Sequence, residues 1–345
     1  RMSARESIIP VFVPHLGCPN DCVFCNQRRI SGSTEPAAAA DVDKAIEQAA
    51  DLPRTGAKRQ LAFYGGSFTA IPVPQQTALL AAAKRHLDAG EIDAVRLSTR
   101  PDAIDGAVLV RLREYGVETV ELGAQSMCDE VLALSGRGHT AADVENASRA
   151  IRAAGFRLIL QMMTGLPGDT PERCEETARR IIALAPDGVR IYPTVIVRDT
   201  ALYDLWQTGR YKEHTVEDAV EYCARIVPLF ENAGIPIIRL GLNPTEELSG
   251  GAAAGGAYHP ALGELVRSRI MRAGAEALLA EENIAPGSAV TLGVNGAKLS
   301  QMIGQHRRNI DYLTARFQLK PLKIRPLPLS DGEITVISVE KDEKV

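Results

Sequence analysis

The stretch IIPVFVPHLGCPNDCVFCNQRR, residues 8–29, decides how the rest of the chain is read. Residues 8–15 are rich in β-branched and aromatic side chains and predict a strand. Cys18, Cys22 and Cys25 follow at once in a Cys-x3-Cys-x2-Cys run. Three thiolates on one loop can hold three irons of a four-iron four-sulfur cluster and leave the fourth iron open to another ligand. Zinc is the alternative, with His15 completing a Cys3His tetrahedron. Usual zinc folds pair two knuckles, and no second pair follows in this sequence.

The strand signal returns at 61–66, 94–100, 119–126, 157–165 and 189–196. Helical periodicity fills the gaps, near 37–50, 74–88, 104–114, 140–154, 171–185 and 215–231. Thr140 three residues before Asp143, Thr170 before Pro171 and Thr215 three before Asp218 read as helix starts. Six strand-helix units in a row predict a parallel sheet with right-handed crossovers. Periodicity leaves open whether it is a doubly wound sheet or part of a β/α barrel. After residue 240 the pattern changes. SGGAAAGGAYHP (249–260) is a Gly/Ala-rich lid or linker, a helix is predicted at 260–281, and strands near 288–294, 322–326 and 333–339 surround two short helical stretches. The expected division is a core of 1–245, a Gly-rich loop and connecting helix at 246–285, and a small α+β domain at 286–345.

Composition narrows the class. The 345 residues are 45% apolar and 24% charged, which suits a sizeable folded core. The net charge of −4 argues against coating nucleic acid by bulk charge, so any such contact would be a local patch. Six cysteines are too few for a disulfide scaffold. There is no run of 18 apolar residues and no signal-peptide core. A cytoplasmic protein is expected, in which clustered thiols mean metal or catalysis before disulfides.

The cysteine spacing after the first strand resembles the radical S-adenosylmethionine (radical SAM) superfamily. The resemblance implies a partial (β/α)6 barrel with a 4Fe-4S cluster on Cys18, Cys22 and Cys25. It also implies S-adenosylmethionine on the open iron, cleaved reductively to a 5′-deoxyadenosyl radical, and a flavodoxin- or ferredoxin-type electron donor. By the same resemblance Phe24 packs near the adenine, and Gly65, Gly66 and Ser67 in FYGGSFT bind the methionine amino group. Ser98 and Arg100 of STRPD, Gln125 of ELGAQS, Arg137 of SGRGHT and Gln161 of LILQMMTGLPG supply further cofactor contacts. An arginine fork suits a carboxylate because it donates two parallel hydrogen bonds.

STRPD, VELGAQSMCDEVL, RGHT, MTGLPGDT and RIYPTVIVRDTALYDLWQTGRY, in this order, are similar to the radical SAM core of the Elongator catalytic subunit, a tRNA wobble-uridine modifying enzyme. The similarity spans roughly residues 8–240 and implies modification of an RNA, with tRNA the nearest substrate. Two departures stand out. Ser98 occupies the place of the Glu in that family's E-T-R-P-D motif, and nothing after 240 reads as an acetyl-CoA site. Instead, MIGQHRRNIDYL (302–313) is similar to the I-G-x-x-G-x-x-I core of KH-type RNA-binding domains, with Arg307 where the second Gly belongs. Lys298, Arg307, Arg308, Arg316, Lys320, Lys323 and Arg325 stand there against one acid, Asp311, a candidate phosphate-binding patch. Competing readings are a radical SAM enzyme acting on a small molecule or peptide, and a non-catalytic iron-sulfur or zinc protein that binds RNA.

Other residues read as structural. Cys128, Cys174 and Cys223 share apolar faces and are expected in the core, and Tyr192 and Trp206 read as packing residues. His259 is placed to cap a turn or to sit at the mouth of the barrel. His86, His139 and His214 show no partner in the sequence.

Overall fold

The structure, a computed structural model, describes residues 6–14, 22–25, 35–51, 57–242 and 253–340. The chain divides into two compact units, one of residues 1–215 with 225–258 and the other of 216–224 with 259–345.

In the first unit β1 (Glu6–Val13), α1 (Ala39–Ala50), β2 (Lys58–Gly65), α2 (Val73–Asp88), β3 (Ala94–Thr99) and α3 (Gly106–Glu114) alternate strictly. They are followed by β4 (Val117–Gln125), α4 (Asp129–Leu134), α5 (Ala141–Ala153), β5 (Arg157–Thr164), α6 (Pro171–Ala183) and β6 (Gly188–Pro193). Next come β7 (Val195–Val197), α7 (Ala201–Gln207), α8 (Val216–Asn232), β8 (Ile237–Leu240) and β9 (Ala253–Gly256). The large sheet runs β1-β2-β3-β4-β5-β6-β8, every neighbouring pair parallel. A doubly wound sheet reverses its strand order at a switch point. Here β1 to β6 succeed one another without reversal, the winding of a curled half-barrel. The expected six strands are joined by a seventh, β8, whose four residues are too few for a periodic signal.

Capping chemistry explains the helix starts. Thr140 accepts from the Asp143 N–H at 3.2 Å and Asp143 answers the Thr140 N–H at 2.7 Å, a full capping box. Thr170 accepts from the Arg173 N–H ahead of a helix whose first residue is Pro171.

The two faces of the strands differ. Val95 and Leu97, Val120 and Leu122, Leu158, Leu160 and Met162, and Val189 and Ile191 are almost fully buried and alternate along their strands. The intervening positions are mostly polar, with Arg96, Ser98, Thr119, Glu121, Gln161, Arg190 and Tyr192 beside the apolar Ile159. Parallel sheets covered on both faces read as near-continuous apolar runs. One polar face marks a concave side that is not a packed core.

The Gly-rich segment is partly a strand. β9 pairs antiparallel with β7, and a Cβ on Gly256 would stand 2.8 Å from the Thr194 oxygen and 2.9 Å from the Ile196 nitrogen. Only glycine fits there, which is the physical reason for a Gly-rich sequence at that point.

The second unit contains residues 216–224 of α8, then α9 (Leu262–Glu281), β10 (Ala289–Asn295), α10 (Leu299–Ile303), α11 (Arg308–Phe317), β11 (Leu322–Leu327) and β12 (Ile334–Glu340). β10 lies between β11, parallel, and β12, antiparallel. Met271, Ala275 and Leu279 of α9 share one core with Val290, Leu292, Val294, Ile310 and Leu313, so that helix belongs to the core of the small unit.

Candidate cofactor site

A cavity of about 160 Å³ opens at the carboxyl ends of the parallel strands, where β/α barrels carry their sites. The Cys22–Cys25 turn forms one wall, closed by the Cys25 N–H donating to the Cys22 carbonyl at 2.9 Å. Two further bonds hold that turn: Val23 N–H to the Ser135 carbonyl at 3.1 Å and Leu202 N–H to the Val23 carbonyl at 2.7 Å. Phe24 lines the cavity and packs against the Ile196, Leu202 and Tyr211 cluster. Cys18 lies outside the described residues, as does His15.

The strand ends contribute the rest. Gly65, Gly66 and Ser67 follow β2, and the Gly66 N–H donates to the Val13 carbonyl at 2.8 Å. Gly65 has φ +107°, and a Cβ there would meet the Val13 oxygen at 2.7 Å, so the β1-β2 pairing closes only over glycine. Ser98 lines the cavity from β3 and donates weakly to the Phe63 carbonyl at 3.4 Å. Gln125 lies at a bulge with φ 63°, and its side-chain oxygen accepts from Gln161 Nε2 at 3.3 Å. Arg137 is buried, with Nη2 on the Gly123 carbonyl at 2.7 Å and Nη1 toward Cys22 Sγ at 3.4 Å.

Of the residues picked from sequence for the cofactor, Arg100 alone stands away from the cavity wall. It is fully buried, bonds Asp102, and donates to the Arg137 carbonyl at 2.8 Å. It positions Arg137 from behind. Thr99, Glu121, Leu122 and Gly123 also line the cavity and carry no motif in the sequence. Glu121 sits between two guanidinium groups, Arg96 Nη2 at 2.7 Å and Arg190 Nε at 2.8 Å, and accepts from the Tyr64 hydroxyl at 3.1 Å. Burial, first, and the Glu121 carboxylate push the Tyr64 phenol well above its ordinary pKa, so Tyr64 stays a neutral donor.

The residues fit an iron-sulfur cluster and a cofactor bound beside it. Thiolates are the ligands such clusters use, and two of the three cysteines of the run converge here on a glycine-lined space with a cation beside Cys22. Among the described residues no group of three His, Cys, Asp or Glu could hold a metal, and Cys18 is not one of the described residues.

The other candidates are dispersed. Lys298 pairs with Asp331 at 3.4 Å and Arg316 with Glu276 at 3.5 Å. Arg307 and Arg308 are exposed at the start of α11, and Lys320, Lys323 and Arg325 are exposed at and along β11. Arg307 takes φ 63°, a left-handed conformation that glycine adopts freely and arginine at a cost. Cys174 and Cys223 are buried, whereas Cys128 is half-buried at the N-cap of α4 rather than on its apolar face.

The histidines find partners that sequence did not show. His86 meets Asp43 at 2.8 Å, His214 meets the Thr164 hydroxyl at 3.1 Å, and His139 meets the Ala124 carbonyl at 3.1 Å. His259 Nδ1 accepts from the Ala261 N–H at 3.1 Å, a turn cap. No helix among the described residues is long and apolar enough to cross a membrane.

Residues 12–181 match the model of the radical SAM superfamily and residues 186–272 that of the Radical_SAM C-terminal domain. The human Elongator complex protein 3 is 32% identical over 204 residues, covering 53% of this chain and 37% of the human protein. A tRNA uridine(34) acetyltransferase of Methanocaldococcus infernus is 32% identical over 141 residues, 39% of this chain and 26% of that protein. This chain thus spans well under half of either relative. The solved structure of the archaeal Methanocaldococcus infernus Elp3 with an N-terminal deletion superposes with a TM-score of 0.61 at 21% identity, over 83% of this chain and 70% of that one, and shares its fold. The cysteine turn, the glycine-lined cavity at the strand ends and the matched models converge: the chain belongs to the radical SAM superfamily, enzymes that use a 4Fe-4S cluster and S-adenosylmethionine.

Proposed function

We propose that this radical SAM enzyme modifies an RNA, and specifically tRNA. The observation that carries the reading is the similarity of the cavity-forming core to proteins named as tRNA uridine(34) acetyltransferases. In this reading Cys18, Cys22 and Cys25 hold three irons, and the cluster with S-adenosylmethionine supplies a 5′-deoxyadenosyl radical. The chain's own residues bind, orient and shield. Gly65 and Gly66 offer backbone to the cofactor's amino group beside Ser67, and Phe24 covers its adenine. Ser98, the Gln125 and Gln161 amides and the Arg137 guanidinium take its remaining polar groups, with Arg100 fixing Arg137. Glu121, held by Arg96, Arg190 and the Tyr64 hydroxyl, gives that space a preorganised polar wall. When bound, the cluster would take its electron from a flavodoxin- or ferredoxin-type donor of the cytoplasm.

The test is anaerobic. The cluster is reconstituted, S-adenosylmethionine and dithionite are added, and 5′-deoxyadenosine is measured with and without an unmodified tRNA transcript. The expected result is formation that rises with tRNA and disappears in Cys22→Ala. Absence of 5′-deoxyadenosine from protein with an intact cluster overturns the radical reading. Formation indifferent to tRNA, with no deuterium transfer from deuterated tRNA, overturns the substrate.

A further inference from the structure

Within the second unit, residues 216–224, α9 and the N-terminus of α11 enclose a cavity of about 340 Å³. That volume is on the order of ten waters. Three guanidinium groups line it, those of Arg269, Arg272 and Arg308, together with the carboxylates of Glu217 and Glu221. Glu221 Oε1 accepts from Arg269 Nε at 2.6 Å and from Arg272 Nη2 at 3.4 Å, so one half-exposed carboxylate serves two cations.

Arg272 is the strained member. Its side chain is 17% exposed, its Nε is shielded from solvent and donates to nothing, and its guanidinium lies 4.4 Å from the centre of the Tyr312 ring. Burial and the neighbouring Arg269 charge lower its pKa, the mark of a cation held where further positive charge is unfavourable. Arg308 has no hydrogen-bond or ion-pair partner among the described residues and is the first residue of α11, whose N-terminus no side chain caps. The positive end of a ten-residue helix therefore meets the same cavity.

Two guanidinium forks with unused donors and an uncapped helix start around one space lack an oxyanion acceptor. We propose that this cavity binds a phosphate group, the chemistry that an RNA backbone or a free phosphorylated nucleotide presents. A planar guanidinium donates two parallel hydrogen bonds to phosphate oxygens, and the helix N–H groups add to them. Glu221 serves to hold Arg269 and Arg272 in orientation. The RNA form rests on the tRNA reading above; the phosphate site does not, and its test needs neither cluster nor radical.

The probe is inorganic phosphate, titrated calorimetrically at low ionic strength into the full chain, its Arg308→Gln and Arg272→Gln variants, and a control, Arg179→Gln, on an exposed face of α6. Arg308 is exposed and has no partner among the described residues, so that variant is expected to fold, which far-ultraviolet circular dichroism checks. Loss of charge-assisted hydrogen bonds predicts phosphate binding weakened about tenfold or more in both variants and unchanged in the control. An unmodified tRNA transcript is then bound to the same set. If its affinity falls in both variants, its log-log salt slope shrinks by about one and phosphate competes with it, the phosphate is that of an RNA backbone. If phosphate binding falls while tRNA binding holds, the source is a free phosphate or nucleotide. Wild-type protein that binds no phosphate at millimolar concentration, or variants that bind it as wild type does, overturn the proposal.

Discussion

Replacing Glu121 by Ala removes the acceptor of four hydrogen bonds at once. Arg96 Nη2 donates to it at 2.7 Å, Arg190 Nε and Nη2 at 2.8 and 3.3 Å, and the Tyr64 hydroxyl at 3.1 Å. Glu121 is 3% exposed and the Arg96 side chain 2%, so the variant leaves a buried Arg96 guanidinium without its carboxylate beside the partly buried Arg190. Breaking a buried pair from one side costs about 3–5 kcal/mol, against roughly 5–15 kcal/mol for a typical domain. Arg190→Met is milder, about 1–3 kcal/mol, because Glu121 keeps Arg96. The double variant should then cost less than the sum, by about 0.5–3 kcal/mol, since removing Arg190 relieves the repulsion that removing Glu121 creates. Trp206, the chain's one tryptophan, lies in the first unit, so its fluorescence in urea reads the relevant transition. Additive costs within about 0.5 kcal/mol, or Arg190→Met costing more than Glu121→Ala, would refute the claim that Glu121 is the hub.

Three further outcomes are expected. Gly65→Ala sets a Cβ 2.7 Å from the Val13 oxygen at φ +107°, whereas Gly90→Ala, at φ +72°, meets nothing within 4 Å; the first should lose about 2–4 kcal/mol and the second about 1 in urea unfolding. Arg137→Gln should raise the Kd for S-adenosylmethionine about 10- to 100-fold by equilibrium dialysis, and an unchanged Kd removes Arg137 from the cofactor set. Burial, with the Arg137 charge second, lowers the His139 pKa to about 4, below its unfolded value of 6.5. The folded state therefore resists a proton that the unfolded state accepts, and stability carried by neutral His139 is complete above pH 6.5 and drains as pH falls toward 4. Unfolding free energy relative to His139→Gln should drop by about 2–3 kcal/mol between pH 7 and 4.5, and parallel profiles would exclude the burial effect.

Much of the site was legible because its chemistry is local in sequence. Cys22, Phe24 and Cys25 fall on one turn, and Gly65-Gly66 sits where a strand ends, so spacing and the family resemblance together pick them out, and all five line the cavity. Glu121 was not legible by that route, for its meaning lies in Arg96 and Arg190 on neighbouring strands. A signal did exist. VRLST, VETVELG and VRIYP alternate polar and apolar residues in strands that a doubly covered parallel sheet would fill with Val, Ile and Leu, and that alternation foretells an uncovered polar face. β8 was lost to brevity, and β9 to its glycines, which read as a loop until their close approach to Thr194 and Ile196 is seen. Arg100 was misplaced for a third reason. Its motif neighbour Ser98 points to the concave face, and the turn that begins at Pro101 carries Arg100 behind Arg137 instead.

The distribution of charge has the same character in each unit taken by itself. The chain is acidic overall, with 43 Asp and Glu against 39 Lys and Arg, yet several of its arginines gather at two cavities. Around the first cavity Arg96, Arg137 and Arg190 stand with the single carboxylate of Glu121, and around the second three arginines stand with Glu217 and Glu221. In each place the cations exceed the acids; the first group is buried, where an anion's attraction is strongest and salt screens least, and the second is partly exposed. A carboxylate-bearing cofactor suits the first cavity and a phosphate the second. The net charge is negative, so an RNA bound by this chain would be held at local groups of cations and not by a general coat of charge. Binding by few points predicts a shallow salt dependence, with a log-log slope nearer one or two than the six to ten of proteins that grip a long backbone, and a steep slope would place the RNA on surfaces other than these.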